Sequence, residues 1–409
     1  MRTGDFGMRK SQTPALSRRG FVALAGALCA ASLGMSRTPA RADQDGQAGG
    51  RPEWSSFEGL EGLTHTESLA LRWAQNFTLD RFEGNLSLAC VKDGTRYLLV
   101  GEGGQAPENL PGDVVRLDVP ASRLYLASSS TLCLFAALDA VDQVSFVSVT
   151  EQDCSVEAFA QALEAGEVAY GGKYSSPDYE AFVGGGCSLA VENTMINHTP
   201  EVREKLIELG VPVITEQSSL EAEPLGRLEW ILLWGELVGK ASLAQSVLDE
   251  QAELVDEVAE SVAADPVDKT VAFFYINSNG SAVVRKPGDY VAKMIAMAGG
   301  TYVFSNLAAD EESNSSSVTM EMEAFYAQAK DADVVVYNST VAGQLGSLAD
   351  LVALNSLLAD FKAVKSGDAW CYEQNVYQQM TSTGEIVSEL HQVFAGTQED
   401  KLTYLFRLV

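Results

Sequence analysis

From residue 114 onward, short apolar runs alternate with amphipathic stretches of helical period. Runs at 114–117, 123–126, 144–149, 168–170, 188–191 and 211–215 predict strands, and the stretches 132–138, 156–165, 177–183 and 200–209 predict helices between them. That alternation predicts a largely parallel sheet covered on both faces. From 225 to 263 there is no proline, and Leu232, Leu237, Leu243, Val247, Leu254 and Val258 recur at helical spacing. The pattern predicts one or two long helices, which Asp265-Pro266 ends. A second alternation begins at Thr270, with strands expected at 271–276, 334–337 and 368–372. Upstream, 64–76 reads as a short helix through Leu69, Leu71 and Ala74, and 86–91 with 97–100 as a hairpin across Asp93-Gly94. Two sheet domains therefore flank a helical link.

The N-terminus changes this picture. Ser17-Arg18-Arg19-Gly20-Phe21 precedes a modest apolar run, and Ala40-Arg41-Ala42 supplies a small-x-small cleavage site. The arginine pair predicts a twin-arginine-type signal peptide over 1–42 and an exported protein, periplasmic or cell-surface associated. Cys29 is a poor lipidation site, because Leu28 stands where a small residue is wanted. Polar, Gly-rich residues 43–62 predict a flexible tether. The net charge of −28 becomes more negative without the signal, since 1–42 hold seven basic residues and one acidic one. Such a surface repels nucleic acid, so no nucleic-acid partner is expected. Cys90, Cys133, Cys154, Cys187 and Cys371 show no metal spacing, and their odd number forbids complete internal pairing.

The chemistry-bearing segments are Tyr170-Gly171-Gly172-Lys173-Tyr174 through Glu180, Glu192 to Pro200, Pro212 to Trp230, Gly288 to Tyr302 and Phe361 to Trp370. Across roughly 95–395 the chain resembles the substrate-binding proteins of ABC importers that carry ferric siderophores, haem and cobalamin. The resemblance implies an α/β fold of two Rossmann-like lobes joined by a long rigid helix, the class III periplasmic-binding-protein fold. Its divisions would be an N-terminal lobe at 63–224, a linking helix at 225–264 and a C-terminal lobe at 265–409. It further implies a metal-chelate ligand, a ferric siderophore first and haem or a corrinoid next, and as partners a permease dimer with its ATPase subunits. The protein would be peripheral to the membrane and hold no intrinsic cofactor.

In that class an exposed glutamate on each lobe docks onto permease arginines; Glu180 and Glu323 take those positions, each opening a helix eleven residues before a strand valine, Val191 and Val334. Ligands of open α/β sheets sit beyond the carboxyl ends of strands. This selects Lys173, Tyr174, Asn193, Arg227, Arg285, Tyr290 and Tyr377 as ligand-binding candidates: guanidiniums fork onto carboxylates or catecholates, and tyrosines stack on flat ligands or offer a phenolate. Met195 and His198 form a further soft pair, and Glu223 stands where relatives place a histidine before Pro-Leu-Gly-Arg. No protein-held metal and no catalytic residue are expected, because the three histidines have no paired spacing and neither a phosphate loop nor a nucleophile elbow is present. Two other classes stay open on sequence: a surface receptor or adhesion protein of the same fold without a permease, and a chelatase-like enzyme.

Overall fold

The computed structural model describes residues 51–307, 316–397 and 402–409. The expected signal peptide, Cys29 and the first part of the tether lie outside the described residues, which belong to one compact unit beginning at Arg51.

Strands β1 (His65–Ser68), β2 (Phe77–Phe82), β3 (Leu86–Val91), β4 (Arg96–Val100) and β5 (Val114–Asp118) form a sheet in sequence order. All its pairs are antiparallel except β4 with β5. The β3–β4 turn is the expected hairpin, with Gly94 at φ 89° and the Asp93 carboxylate accepting from the Thr95 amide. The helix expected over 64–76 is not formed: 65–68 extend against β2, and the following residues are a loop whose amides bond elsewhere. Nor are the described residues of the tether, 51–62, free of the body. Leu60 and Ser55 are buried, Phe57 packs edge-on against Phe82, and Arg96 donates to the carbonyls of Ser56 and Glu58. Polar composition hid a few anchoring apolar side chains.

The N-terminal lobe contains β6 (Leu124–Leu126), β7 (Val144–Val147), β8 (Ala169–Tyr170), the short ribbon β9 (Gly172–Lys173) and β10 (Ser176–Pro177), β11 (Leu189–Asn193) and β12 (Val213–Glu216). Order β12-β11-β6-β7-β8 is parallel throughout, as the alternation predicts. Its helices are α1 (Leu132–Ala137), α2 (Glu157–Ala165), α3 (Tyr179–Gly185) and α4 (Pro200–Glu208). Local chemistry sets their ends: the Asp178 side chain caps α3 by accepting from the Ala181 amide, and Pro200 opens α4.

The link is three helices: α5 (Pro224–Glu229), α6 (Ile231–Leu237) and the 24-residue α7 (Ala241–Ala264). The expected helix over 225–264 breaks at Trp230 and again at Gly239, whose φ of 73° ends α6.

The C-terminal lobe has β13 (Thr270–Ile276), β14 (Ala282–Arg285), β15 (Thr301–Tyr302), β16 (Ser317–Met320), β17 (Val334–Tyr337), β18 (Ala369–Tyr372) and β19 (Leu405–Arg407). The order is β16-β14-β13-β17-β18-β19, with β13, β17 and β18 parallel. Helices α8 (Tyr290–Met297), α9 (Met322–Ala329), α10 (Ser339–Ala342), α11 (Leu348–Leu354), α12 (Lys362–Ser366) and α13 (Thr383–Ala395) accompany it. The eleven-residue echo is numerical only: Val191 lies mid-strand in β11, whereas Val334 opens β17.

Buried carboxylates hold these parts together. Glu229 accepts from the amides of Arg72, Trp73 and Ala74 at 2.6–2.8 Å, and Glu221 from those of Gln75 and Asn76 and from the Trp230 indole. Gly226 lets the two segments approach: a Cβ there would stand 2.9 Å from the Trp73 carbonyl oxygen. In α13, Glu389 likewise accepts from Thr403, Tyr404 and Leu405, drawing the last strand onto the sheet edge. Glu192 is the exception, fully buried in β11 with no hydrogen-bond partner for either oxygen among the described residues, and burial pushes its carboxyl up to about 8.

Replacing Glu229 by Ala leaves three amides without their acceptor, and one orphaned buried donor costs about 1–3 kcal/mol. Chemical denaturation of the Glu229→Ala variant should show a loss of at least about 3 kcal/mol; a loss below about 1 kcal/mol would mean that water replaces the carboxylate. Glu192 gives the opposite pH sign from an ion-paired acid. The folded state holds its proton between the ordinary value of 4.5 and about 8, so its stability contribution falls as pH rises through that window. Relative to Glu192→Gln, the parent should weaken by about 1.4 kcal/mol per pH unit there, and parallel melting-temperature profiles from pH 5 to 8 would disprove it.

Candidate functional site

The helix α5 runs out of the N-terminal lobe carrying Arg227 toward the C-terminal lobe. Its guanidinium lies 3.9 Å from the ring centroid of Tyr290, the first residue of α8, and its buried Nε has no hydrogen-bond partner among the described residues. Glu221 and Glu229 are occupied by backbone amides and Glu223 pairs with Lys293, which leaves this arginine to the cleft. Asp289 caps α8 by accepting from the Val291 amide, and Arg285 approaches Asp289 at 3.7 Å while donating to Ser316 Oγ. Burial pushes the Asp289 carboxyl up and the two guanidiniums pull it back. Cations and a half-compensating acid thus alternate at the junction of linker and C-terminal lobe.

Around Arg227 and Tyr290 stand Tyr372 at the end of β18, Tyr377 beyond it, and Met294, Met380 and Thr383. The pocket they line holds ≈ 20 Å³, space for about one water molecule. Tyr377 is 40% exposed at its rim, while Tyr372 is buried and its hydroxyl is held well above its ordinary range by burial. On the facing lobe, the ends of β6 and β12 present Ser128, Thr131, Glu216 and Ser218, all buried. Glu216 accepts from the Ser218 amide and from Ser128 Oγ; burial pushes it up, and Arg227 is among the groups that draw it down.

Of the residues selected from sequence, Arg227, Tyr290 and Tyr377 line one pocket and Arg285 adjoins it through Asp289. Lys173, Tyr174 and Asn193 do not line it. Lys173 is exposed on the β9–β10 ribbon, Tyr174 packs beside the core around Phe182 and Ile196, and the Asn193 side chain accepts from the Met195 amide. Met195 and His198 are exposed, and Glu223 pairs with Lys293 of α8. Glu180 and Glu323 are exposed in the first turns of α3 and α9. Sequence reasoning missed Tyr372, Met294 and Met380. A strand-terminal tyrosine was the one visible signal, since strand 368–372 was expected and its last side chain was not followed. Among the described residues no group of three His, Cys, Asp or Glu side chains is placed to hold a metal ion.

Comparison with known proteins agrees with this architecture. Two uncharacterized lipoproteins of Methanocaldococcus jannaschii are each 25% identical to the chain, one over 315 residues (73% of this chain, 72% of the relative) and one over 325 residues (75% and 78%). A periplasmic heme binding protein from Pseudomonas aeruginosa superposes with a TM-score of 0.55 at 18% identity, covering 70% of this chain and 98% of that one. A periplasmic binding protein from Veillonella parvula gives 0.55 at 17%, covering 74% and 96%. These likenesses establish the two-lobed fold. The sequence profile described as periplasmic binding protein matches residues 126–376, and the chain belongs to that family, the substrate-binding proteins of ABC transporters, which bind rather than catalyse.

Proposed function

We propose that this protein is the extracytoplasmic receptor of an ABC importer, capturing an anionic metal chelate between its lobes and delivering it to a permease dimer driven by ATPase subunits. The observation that carries this reading is the pair Arg227 and Arg285 beside Tyr290, Tyr372 and Tyr377 at the strand ends where the lobes meet. Guanidiniums match carboxylate, catecholate or propionate oxygens, and tyrosine rings suit a flat or aromatic chelate. A ferric siderophore fits that chemistry first, and haem or a corrinoid next. Solved structures with this fold include proteins titled as heme binding and as possible iron-binding, which lends support to an iron chelate. The lipoprotein names of the archaeal relatives support an extracytoplasmic location.

The delivery half of the reading rests on Glu180 and Glu323. Each opens a helix that feeds a parallel strand, β11 or β17, so its first turn stands at the rim where the strands' carboxyl ends and the ligand loops lie. Both carboxylates are exposed and neither appears in an ion pair among the described residues. One acidic contact per lobe would set register on a two-fold permease.

Arg285→Ala and Arg227→Ala should each weaken a ferric tricatecholate or haemin by about 1–3 kcal/mol, read by tryptophan quenching. Unchanged affinity for both chelates, with the fold intact, would remove the arginines from the site. The Glu180→Ala, Glu323→Ala double variant should keep chelate affinity while uptake into vesicles bearing the permease falls steeply, and the double Arg variant should transport still less. Normal transport by the double Ala variant would sink the docking assignment.

A further inference from the structure

Between β18 and α13 the chain makes two short 3-10 turns, Val376–Gln378 and Met380–Ser382, and these cross to the N-terminal lobe. Gln378 is fully buried. Its Oε1 accepts from the Ser155 amide at 3.1 Å and from the Ser155 hydroxyl, and its Nε2 donates to the Asp153 carbonyl at 3.4 Å and to the Tyr377 hydroxyl. Met380 accepts from the Ser218 hydroxyl at 3.6 Å, and the Met380–Ser382 turn packs against α1, bringing Met380 and Thr381 close to the buried Cys133 thiol. The segment therefore covers Ser128, Thr131, Glu216 and Ser218, the polar ends of β6 and β12, on the face where ligands of this sheet type sit. Beside it the pocket holds ≈ 20 Å³, far below the roughly 300–1,000 Å³ of small-molecule sites.

We propose that residues 375–382 are a strap that occupies the N-terminal half of the ligand cleft, with Gln378 as its latch, and that the chelate enters by displacing it. This rests on the metal-chelate reading above. The flanks say which part moves. Helix α13 is fixed to the linker, because the Gly384 amide donates to Gln251 Oε1 and a Cβ at Gly384 would stand 2.4 Å from the Gln251 carbonyl oxygen. Strand β18 is paired on both sides. The two turns between them are the part whose lifting leaves both flanking elements in place. Ligand admission is thus a local rearrangement rather than a wide swing of lobes. The strap also competes with ligand: a chelate binds the fraction of molecules whose strap is released, so apparent affinity scales with that fraction.

The test uses the full chain carrying Thr381→Cys, oxidised to join Cys133 to the introduced thiol and compared with its reduced form. Haemin and a ferric tricatecholate are the probes, and amide exchange of 375–382 is followed in parallel. The reduced form should bind, the cross-linked form should bind at least tenfold more weakly, and reduction should restore affinity. Equal affinity in both forms, with the cross-link confirmed by mass, overturns the strap. Gln378→Ala needs no cross-link: in the folded variant affinity should rise by roughly threefold to tenfold, and an affinity equal to the parent's overturns the latch. If neither probe binds the reduced protein, the chelate reading fails and exchange decides the strap. Joint exchange of 375–382, faster than β18 and α13, supports it; exchange only with global unfolding refutes it.

Discussion

Five successive amides, Arg72 through Asn76, end on two carboxylates one helical stretch apart, Glu229 and Glu221. A buried carboxylate is costly unless donors surround it, and a run of buried amides is costly unless acceptors meet it; each solves the other's problem. The pairing ties the N-terminal sheet to the linker. It also occupies two of the acids flanking Arg227, the third, Glu223, being paired with Lys293, and the guanidinium is left to lie on Tyr290 at the cleft. The same device recurs with Glu389 and the amides of 403–405, so two distant segments of the chain are fastened by a side-chain acid reading backbone.

These fastenings were opaque in sequence. An acid in a helix reads as a solvated face, and a loop's free amides leave no compositional trace. The parallel strands of the N-terminal lobe were legible, since short apolar runs between amphipathic helices have few other uses: 123–126, 144–149, 188–191 and 211–215 all became strands. Residues 65–68 were not, because an exposed strand at a sheet edge lacks the apolar alternation that marks one. The site divides the same way. Arg227, Tyr290 and Tyr377 follow from residue type and strand-end position. Gln378 does not, because a polar residue in a loop looks hydrated until the opposite lobe supplies its partners.

Electrostatically, two guanidiniums, those of Arg227 and Arg285, stand at the lobe junction beside buried acids. Arg285 and Arg227 draw Asp289 and Glu216 back toward ionisation against burial. An incoming anion can therefore take over contacts that these acids now satisfy, and the two guanidiniums are in place before the ligand arrives. Glu192 lies outside this arrangement, an acid kept neutral within the sheet.

The β19 pairing with β18 has a consequence for biosynthesis. This strand is the last described segment of the chain, and it covers the hydrogen-bonding edge formed by Trp370, Cys371 and Tyr372. Until those residues have left the ribosome, the C-terminal lobe exposes an apolar strand able to pair with a neighbouring nascent chain. Pairing of β19 is therefore what closes that edge, and a chain interrupted before Leu405 would offer the β18 edge to a neighbour.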